Sequence, residues 1–359
     1  MRKPLMMVMM VIALIGMILT GCKDSETAST KEPASKPASG TKTNKDAVVI
    51  RYAHFQPAGL DQPKQAAALA FESYVESHTN GEVQVEIYPA SQLGDADTVL
   101  EGLKLGSIQM GVVHDGPISS LYPPMGVYNM PFLFKNQGEA WSVFDGDYTK
   151  NLAEDMKKQT GIRLLGLADN GIRQFTNSKK EIKSVADMKG LKMRVQPSPL
   201  YEKLVQGTGA SPSAIAWTEL PTALQQKVVD GQENGVTNIL AASLFQTQKH
   251  VTLSNHVYSF HAYMISDAFF SKLTQEQQKV VQEGVDIAKW IHRGMTANQD
   301  MNAGAILSEK GMKVTTLTPE AVEEFRQATQ PAVADWMKET VGEKWVEDLL
   351  AEVEALRNE

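Results

Sequence analysis

Gly190-Leu191-Lys192-Met193-Arg194-Val195 reads as a turn glycine running into a short strand, with Leu191, Met193 and Val195 recurring at every second position. A period of two puts alternate side chains on one face, the mark of a half-buried strand. Arg194 lies inside that alternation, and a guanidinium taken out of water needs an anion beside it. The anion is either built in, with Asp187 and Glu233 as candidates, or it arrives with a ligand. Asp230-Gly231-Gln232-Glu233-Asn234 follows an amphipathic helix over Glu219–Val229. It is expected to open a further helix that Asn234 caps. As a ligand contact Asn234 would offer both a donor and an acceptor.

Outward from this strand the pattern is a repeated exchange of strand and helix. Val48–Phe55 and Val83–Tyr88 read as strands, Gln62–His78 as a helix, Leu100–Leu105 as a short helix and Ile108–Val113 as a strand. The rhythm continues through Ala140–Lys158, Ile162–Leu167, Leu191–Val195, Leu200–Leu204, Ala214–Trp217 and Glu219–Val229. Such alternation predicts an α/β fold with largely parallel sheets. Thr274 to about Lys310 reads as one very long helix, followed by Pro319–Thr329, Pro331–Val341 and Glu343–Arg357, with Pro331 marking a break. The last two helices are expected to cap a lobe rather than to dimerise.

The ends bound the class. Met1-Arg2-Lys3 precedes an apolar run from Leu5 to Leu19, then Leu19-Thr20-Gly21-Cys22. This predicts a secretory signal over residues 1–21, the apolar run being shorter than the ~20 residues of a bilayer span. Cys22 is the only cysteine, so no internal disulfide can form. Its setting resembles a bacterial lipobox, which implies cleavage before Cys22 and lipid attachment to its sulfur, anchoring the protein to the outer face of a membrane. Residues 22–46, rich in Ser, Thr, Lys, Pro and Ala, read as a flexible tether with a reach of roughly 25–30 Å. The body beyond is long enough for two lobes. The chain carries −7, and loses two cations more with Arg2 and Lys3, which argues against a nucleic-acid partner.

Enzymatic constellations are scarce. There is no His-Glu-x-x-His helix, no Gly-x-Ser-x-Gly elbow and no P-loop, and Gly207-Thr208-Gly209 reads as a turn. Asp145-Gly146-Asp147 lacks the rest of a calcium loop, and Asp95 with Asp97 suits a helix start. His250, His256 and His261 cluster without a completing carboxylate or thiol and are expected to pack and hydrogen-bond. No catalytic group, metal or cofactor is implied. What stands out is a pair of arginines, Arg194 and Arg173, each placed near a strand end, where α/β sheets hold ligands. A guanidinium fork fits a carboxylate with two parallel bonds. For Arg173, which follows Asp169-Asn170-Gly171-Ile172, a surface strand-end charge is the alternative. Trp217 reads as a core tryptophan or as a lid over a flat ligand.

Several stretches, in order and spacing, resemble the solute-binding proteins of TRAP (tripartite ATP-independent periplasmic) transporters. They are Tyr88-Pro89-Ala90-Ser91-Gln92-Leu93-Gly94, Asn170-Gly171-Ile172-Arg173, Ala186–Val195, Ala223-Leu224-Gln225 and Val229–Asn234. The likeness runs from about Ile50 to the C-terminal helices and is to the dicarboxylate-receptor type, in a lipoprotein form. It implies a two-lobed periplasmic-binding-protein-like α/β fold with a ligand cleft between the lobes and a long helix spanning both. Lobe I is expected over residues 47–170 and 259–299, and lobe II over 171–258 and 300–359. The resemblance also implies an organic-acid ligand gripped by Arg194, with Arg173, Asn234 and Trp217 as further contacts, and delivery to integral membrane permease subunits.

In lobe I the selectivity positions that the resemblance implies fall near His54-Phe55-Gln56 and His114-Asp115. An acidic Asp115 in the cleft would favour ligand hydroxyls, so a sugar acid competes with a C4-dicarboxylate. The rival readings are an anchored sensor that signals to a membrane kinase, and a lipoprotein hydrolase or lyase using His114 and Asp115.

Overall fold

The structure is a computed structural model that describes residues 47–358; Cys22, the signal segment and the tether lie outside the described residues. In chain order the first elements are β1 (Val48–Ala53), α1 (Pro63–His78), β2 (Val83–Tyr88), α2 (Ala96–Leu105), β3 (Met110–His114) and α3 (Asp115–Leu121). Next come α4 (Gln137–Asp145), α5 (Asp147–Thr160), β4 (Ile162–Asn177), β5 (Lys192–Val195), α6 (Pro199–Gly207), β6 (Ser211–Ala214) and α7 (Leu220–Gln225). The chain finishes with β7 (Gly231–Gly235), α8 (Val236–Ala241), β8 (His250–Ser266), α9 (Asp267–Phe270), α10 (Gln275–Met301), α11 (Ala303–Glu309), β9 (Lys313–Thr316), α12 (Pro319–Val341) and α13 (Glu343–Asn358).

The strands form one path, β2-β1-β3-β8-β4-β7-β5-β6, with β9 added to β8. The wings are parallel, β1 on β2 and β3 on one side, β5 on β6 and β7 on the other. The centre is antiparallel, β3–β8, β8–β4 and β4–β7, so the expectation of largely parallel sheets holds only at the wings and where β9 joins β8. The reason lies in β4 and β8, which run long through the middle of a two-lobed molecule. The sequence reading ended β4 at Leu167, because Asp169-Asn170-Gly171 looks like a turn. Instead the strand continues to Asn177, with register shifts against β8 at Asp169/Gly171 and Arg173/Phe175. Gly171 takes a positive φ of 98°, which lets the bulge form at little cost. Arg173 therefore sits in mid-strand, fully buried, and not at a strand end.

One apolar core lies between α1, α10 and the β1–β3 face (Phe71, Val75, Tyr52, Val281, Val285), and a smaller one lies under α7, α8 and α11. The largest joins α4, α5, α6, α12 and α13 to the opposite face of the sheet. Burial of about 1.5–3 kcal/mol per large apolar side chain makes these clusters the main source of fold stability. α10 is capped by Thr274 and Gln277, which accept from and donate to each other's backbone region in a capping box. It spans roughly 40 Å at 1.5 Å per residue. It starts against α1, where Gly284 packs on Phe71 and Val75, and ends beside β4 and α8. There Asp300 accepts from Ile172 N at 3.0 Å and Gln299 accepts from Thr237 Oγ1 at 2.6 Å. The helix stops at Met301 rather than near Lys310, with a short interruption at Asn302 before α11.

Two further expectations are corrected. Pro331 does not break a helix, because Pro319–Val341 is continuous. Phe325, Thr329, Val333 and Met337 recur every four residues on one buried face, which holds the helix together while Pro331 stays exposed on the other side. Asn234 does not cap a helix either: Gly231–Gly235 is a strand, and Gly235 precedes α8. Among the described residues no helix is long and apolar enough to cross a membrane.

Candidate functional site

The bulge in β4 brings polar side chains to the centre of the molecule. Across the β4–β7 pair, Gly235 stands opposite Arg173, and a Cβ there would fall 2.4 Å from Asn170 O. Only glycine allows that approach. Asn170, Asn234 and Asn238 meet at this point: Asn238 Nδ2 donates to Asn170 Oδ1 at 2.5 Å and to Asn234 Oδ1 at 2.8 Å.

The two arginines have different surroundings. Arg173 is paired with Glu233 of β7. Its Nε bonds to Glu233 Oε2, and its Nη2 donates to Glu233 Oε1 and to the Glu233 carbonyl, both at 2.7 Å. Its Nη1 donates to Ser259 Oγ at 3.3 Å, and Tyr201 offers its ring face at 4.9 Å. Burial pulls the Arg173 pKa down, but Glu233 more than compensates and holds it above the ordinary value. Burial would push the Glu233 carboxyl up; Arg173 and then His256 keep it below its usual range. His256 stacks on Phe175 with centroids 4.0 Å apart, and burial lowers its pKa, leaving a neutral ring.

Arg194 is as buried as Arg173, at 1 % exposure, yet has no built-in counterion. Among the described residues its one hydrogen bond runs from Nε to Ile215 O at 2.8 Å, and it makes no ion pair. Burial pushes its pKa down to about 9, with Arg173 adding repulsion and Glu233 acting the other way. The guanidinium thus remains charged at neutral pH, and its terminal nitrogens are left for another acceptor. Neither internal candidate serves: Glu233 is committed to Arg173, and Asp187 caps the turn at Ser184.

These side chains line one cavity. Arg173, Arg194, Asn170, Asn234, Asn238, Gln196 and Trp217 meet Phe55, Lys64, His114 and His261 there. The structure so brings together five of the seven residues singled out from sequence: Arg194, Arg173, Asn234, Trp217 and His114. Among the described residues no carboxylate lines the cavity. Trp217 is half-buried in a short helical turn, rather than ending a strand, and packs between two of the apolar clusters while presenting a face to the cavity. His114 meets Phe55 edge-on at 5.4 Å, and burial, with Lys64, Arg194 and Arg173, drives its pKa well below the ordinary value.

His54 and Asp115 stand behind the cavity wall. His54 is fully buried; its Nε2 meets Gln65 Oε1 at 2.9 Å and Gln56 N donates to its Nδ1. Burial, then Lys64, lowers its pKa to about 4. Asp115 Oδ2 accepts from Asn129 Nδ2 at 2.6 Å, Tyr201 Oη at 2.7 Å and Ser259 Oγ at 2.7 Å. Its Oδ1 accepts from Gln196 Nε2 at 2.8 Å and Gly116 N at 3.1 Å. Five donors therefore fill this carboxylate, so it presents no acceptor to a ligand. An aspartate after a strand looks like a cleft residue in sequence, and only the fold reveals donors converging on it from the residue after β5, from α6 and from β8.

Sequence reasoning missed Lys64, Gln196, Asn238 and His261 as cavity residues, and reached Asn170 and Phe55 only as neighbours of the positions it singled out. Lys64 carried a signal: a lysine in the first turn of α1, beside Pro63, opposes the helix dipole and needs a reason. Among the described residues no group of three or more His, Cys, Asp or Glu is arranged to hold a metal.

Residues 53–340 match the family described as DctP, bacterial extracellular solute-binding protein, family 7. The chain belongs to this family of TRAP solute-binding proteins. It is 31 % identical over 294 residues to the C4-dicarboxylate-binding periplasmic protein DctP of Rhodobacter capsulatus, covering 80 % of this chain and 83 % of that one. The sugar acid binding protein DctPAm of Advenella mimigardefordensis, solved with galactonate, superposes with a TM-score of 0.82 at 30 % identity, covering 86 % and 99 % of the two chains. A TRAP solute binding protein of Sulfurospirillum deleyianum with bound succinate gives a TM-score of 0.79 at 29 % identity, covering 85 % and 98 %. The family is extracytoplasmic, and its members bind solutes rather than transform them. The two-lobed α/β architecture is that of these structures.

Proposed function

We propose that this protein is the extracytoplasmic receptor for a small organic-acid anion, gripped at one carboxylate by Arg194 and delivered to a TRAP membrane permease. The observation that carries the reading is the buried Arg194 guanidinium, which among the described residues has no ion-pair partner and faces a cavity that no carboxylate lines. Arg173, already neutralised by Glu233, adds a second charged donor group beside it, with Asn234 and Trp217 completing the binding wall. His114 contributes a neutral imidazole. His54 and Asp115 position the wall from behind. Relatives that bind a C4-dicarboxylate, galactonate or succinate support an acid as the ligand class.

We further infer that the lobes meet at residues 170/171 and 258/259 and close on the ligand by hinge motion. Supporting this, Gly171 pairs with Ser259 where the β4–β8 register shifts. The setting of Cys22 supports a lipoprotein: cleavage of residues 1–21, acylation of Cys22 and a membrane-surface tether. Titration calorimetry against organic and sugar acids tests the function, and unchanged binding by Arg194→Ala would refute it. Incorporation of radiolabelled palmitate into wild type but not into Cys22→Ala tests the anchor.

A further inference from the structure

Lys64 is the second buried cation of the cavity without a partner. It is 2 % exposed, on the first turn of α1, and its backbone N–H is satisfied by Gln56 Oε1 at 2.8 Å. Among the described residues its ammonium has neither a hydrogen bond nor an ion pair; it lies over the Phe55 ring, 5.6 Å from Nζ to centroid. An ammonium buried without an acceptor is costly unless a ligand supplies one. Lys64 comes from α1, against the β1–β3 wing, and Arg194 from β5 in the opposite wing, so a ligand touching both bridges the cleft.

Charge counting narrows the ligand class. The cations at the cavity are Arg173, Arg194 and Lys64, and the acids close to them are Glu233 and Asp115. The facing histidines, His54 just after β1, His114 on β3, His261 on β8 and His292 on α10, are all pushed toward neutrality by burial, with Lys64 adding to the effect. One positive charge is therefore unmatched when Lys64 is protonated. A monoanion balances it, whereas a dianion leaves the buried site net negative. Asn170, Gln196 and Asn234 each commit one amide N–H within the protein and Asn238 commits both of its own, and the N–H groups and oxygens that remain suit hydroxyl groups, which both donate and accept.

Resting on the reading of Arg194 as the carboxylate anchor, we propose that Lys64 holds the other end of the ligand through a hydroxyl oxygen and so selects hydroxylated monocarboxylates over dicarboxylates. Burial lowers the Lys64 pKa to about 7, with Asp115 opposing, so the free protein carries largely neutral Lys64 above that pH. A bound acid favours the ammonium and raises the value. Binding then takes up a proton, and affinity falls as pH rises above 7.

The test is calorimetry with galactonate and with succinate, in two buffers of different ionisation enthalpy, from pH 6.5 to 8.5. Galactonate is expected to bind more tightly than succinate, with uptake approaching one proton per ligand at pH 8 and affinity dropping about tenfold per pH unit above 7. In Lys64→Met the uptake should vanish, the pH dependence flatten and galactonate affinity fall at least tenfold at pH 7. Lys64→Arg, which stays charged, should bind with no uptake and guards against a Met variant that fails to fold. Uptake surviving in both variants, unchanged galactonate affinity in Lys64→Met, or a wild-type preference for succinate would each overturn the proposal. If Arg194→Ala binds as wild type, the carboxylate anchor itself is wrong and the Lys64 assignment falls with it; if only the Lys64 arms fail, the receptor reading stands.

Discussion

Arg173 in β4 and Arg194 in β5 are equally buried and lie in the same cavity, but one has a carboxylate of its own and the other does not. Arg173 and Glu233 form a closed unit: two side-chain bonds, a further bond to the Glu233 carbonyl and a neutral His256 behind the carboxylate. Such a pair stabilises little relative to apolar residues but is destructive to break. Arg194 is held by a single bond to a carbonyl, and its pKa is depressed. It is a strained cation in the empty protein that a carboxylate relieves. The contrast teaches that burial of a charge marks structure or function according to whether the fold supplies the counterion.

The largest effect should come from breaking the closed unit. Glu233→Gln leaves Arg173 without its anion, and a loss of about 3–5 kcal/mol of folding stability is expected in chemical denaturation. A wild-type denaturation midpoint would mean that Arg173 needs no internal partner and that the two arginines are alike. Next, Arg194→Ala should cost about 2–5 kcal/mol of ligand affinity by calorimetry. The ligand-free variant should be no less stable than wild type, since an uncompensated buried charge has been removed. Thermal melts without ligand that show Arg194→Ala as damaging as Glu233→Gln would erase the distinction.

Asp115 sharpens the contrast from the side of the acids. It is saturated by neutral donors rather than by an arginine, so Asp115→Asn turns an amide NH2 toward donor groups. A loss of about 1–3 kcal/mol in stability is expected, together with weaker binding, because Gln196 and Tyr201 lose their hold. Unaltered melting would place the carboxylate in the cleft after all. The last effect concerns Asp300, where α10 meets the β4 bulge. Its Oδ1 is buried without a partner, and burial raises its pKa to about 8, with Asp169 contributing in the same sense and the Ile172 N–H opposing. A carboxyl raised in the folded state favours folding when protonated and loses that advantage as pH climbs from its unfolded value through 8. Asp300→Asn should therefore gain stability over wild type at pH 8 and nothing at pH 4. Equal melting shifts at both pH values would show that the carboxyl is already solvated.

Much of the site could be read in advance where a residue type violated its surroundings. Arg194 in an apolar alternation, the Asn170-Gly171-Ile172-Arg173 stretch and Trp217 all lead to the cavity. Lys64 broke the dipole rule at a helix start and passed unnoticed, because a single lysine on an amphipathic helix normally faces water. His54 and Asp115 misled, since position after a strand does not say which way a side chain turns. β4 misled for a related reason: polar residues and a glycine read as a turn, whereas in the fold they form a bulge in which Asn170 and Arg173 bond to groups of β7, β8 and α8.

From sequence alone came the alternation of strand and helix, the long α10 and the presence of an arginine that must find an anion. These depend on local periodicity and on the solvation cost of one side chain, and both are properties of a short stretch of chain. Which arginine receives Glu233, which carboxylate is filled by donors and which lysine turns inward were decided by tertiary structure. Those outcomes depend on groups from β4, β5, β7, β8 and α1 meeting within hydrogen-bond range, and no local pattern encodes such meetings.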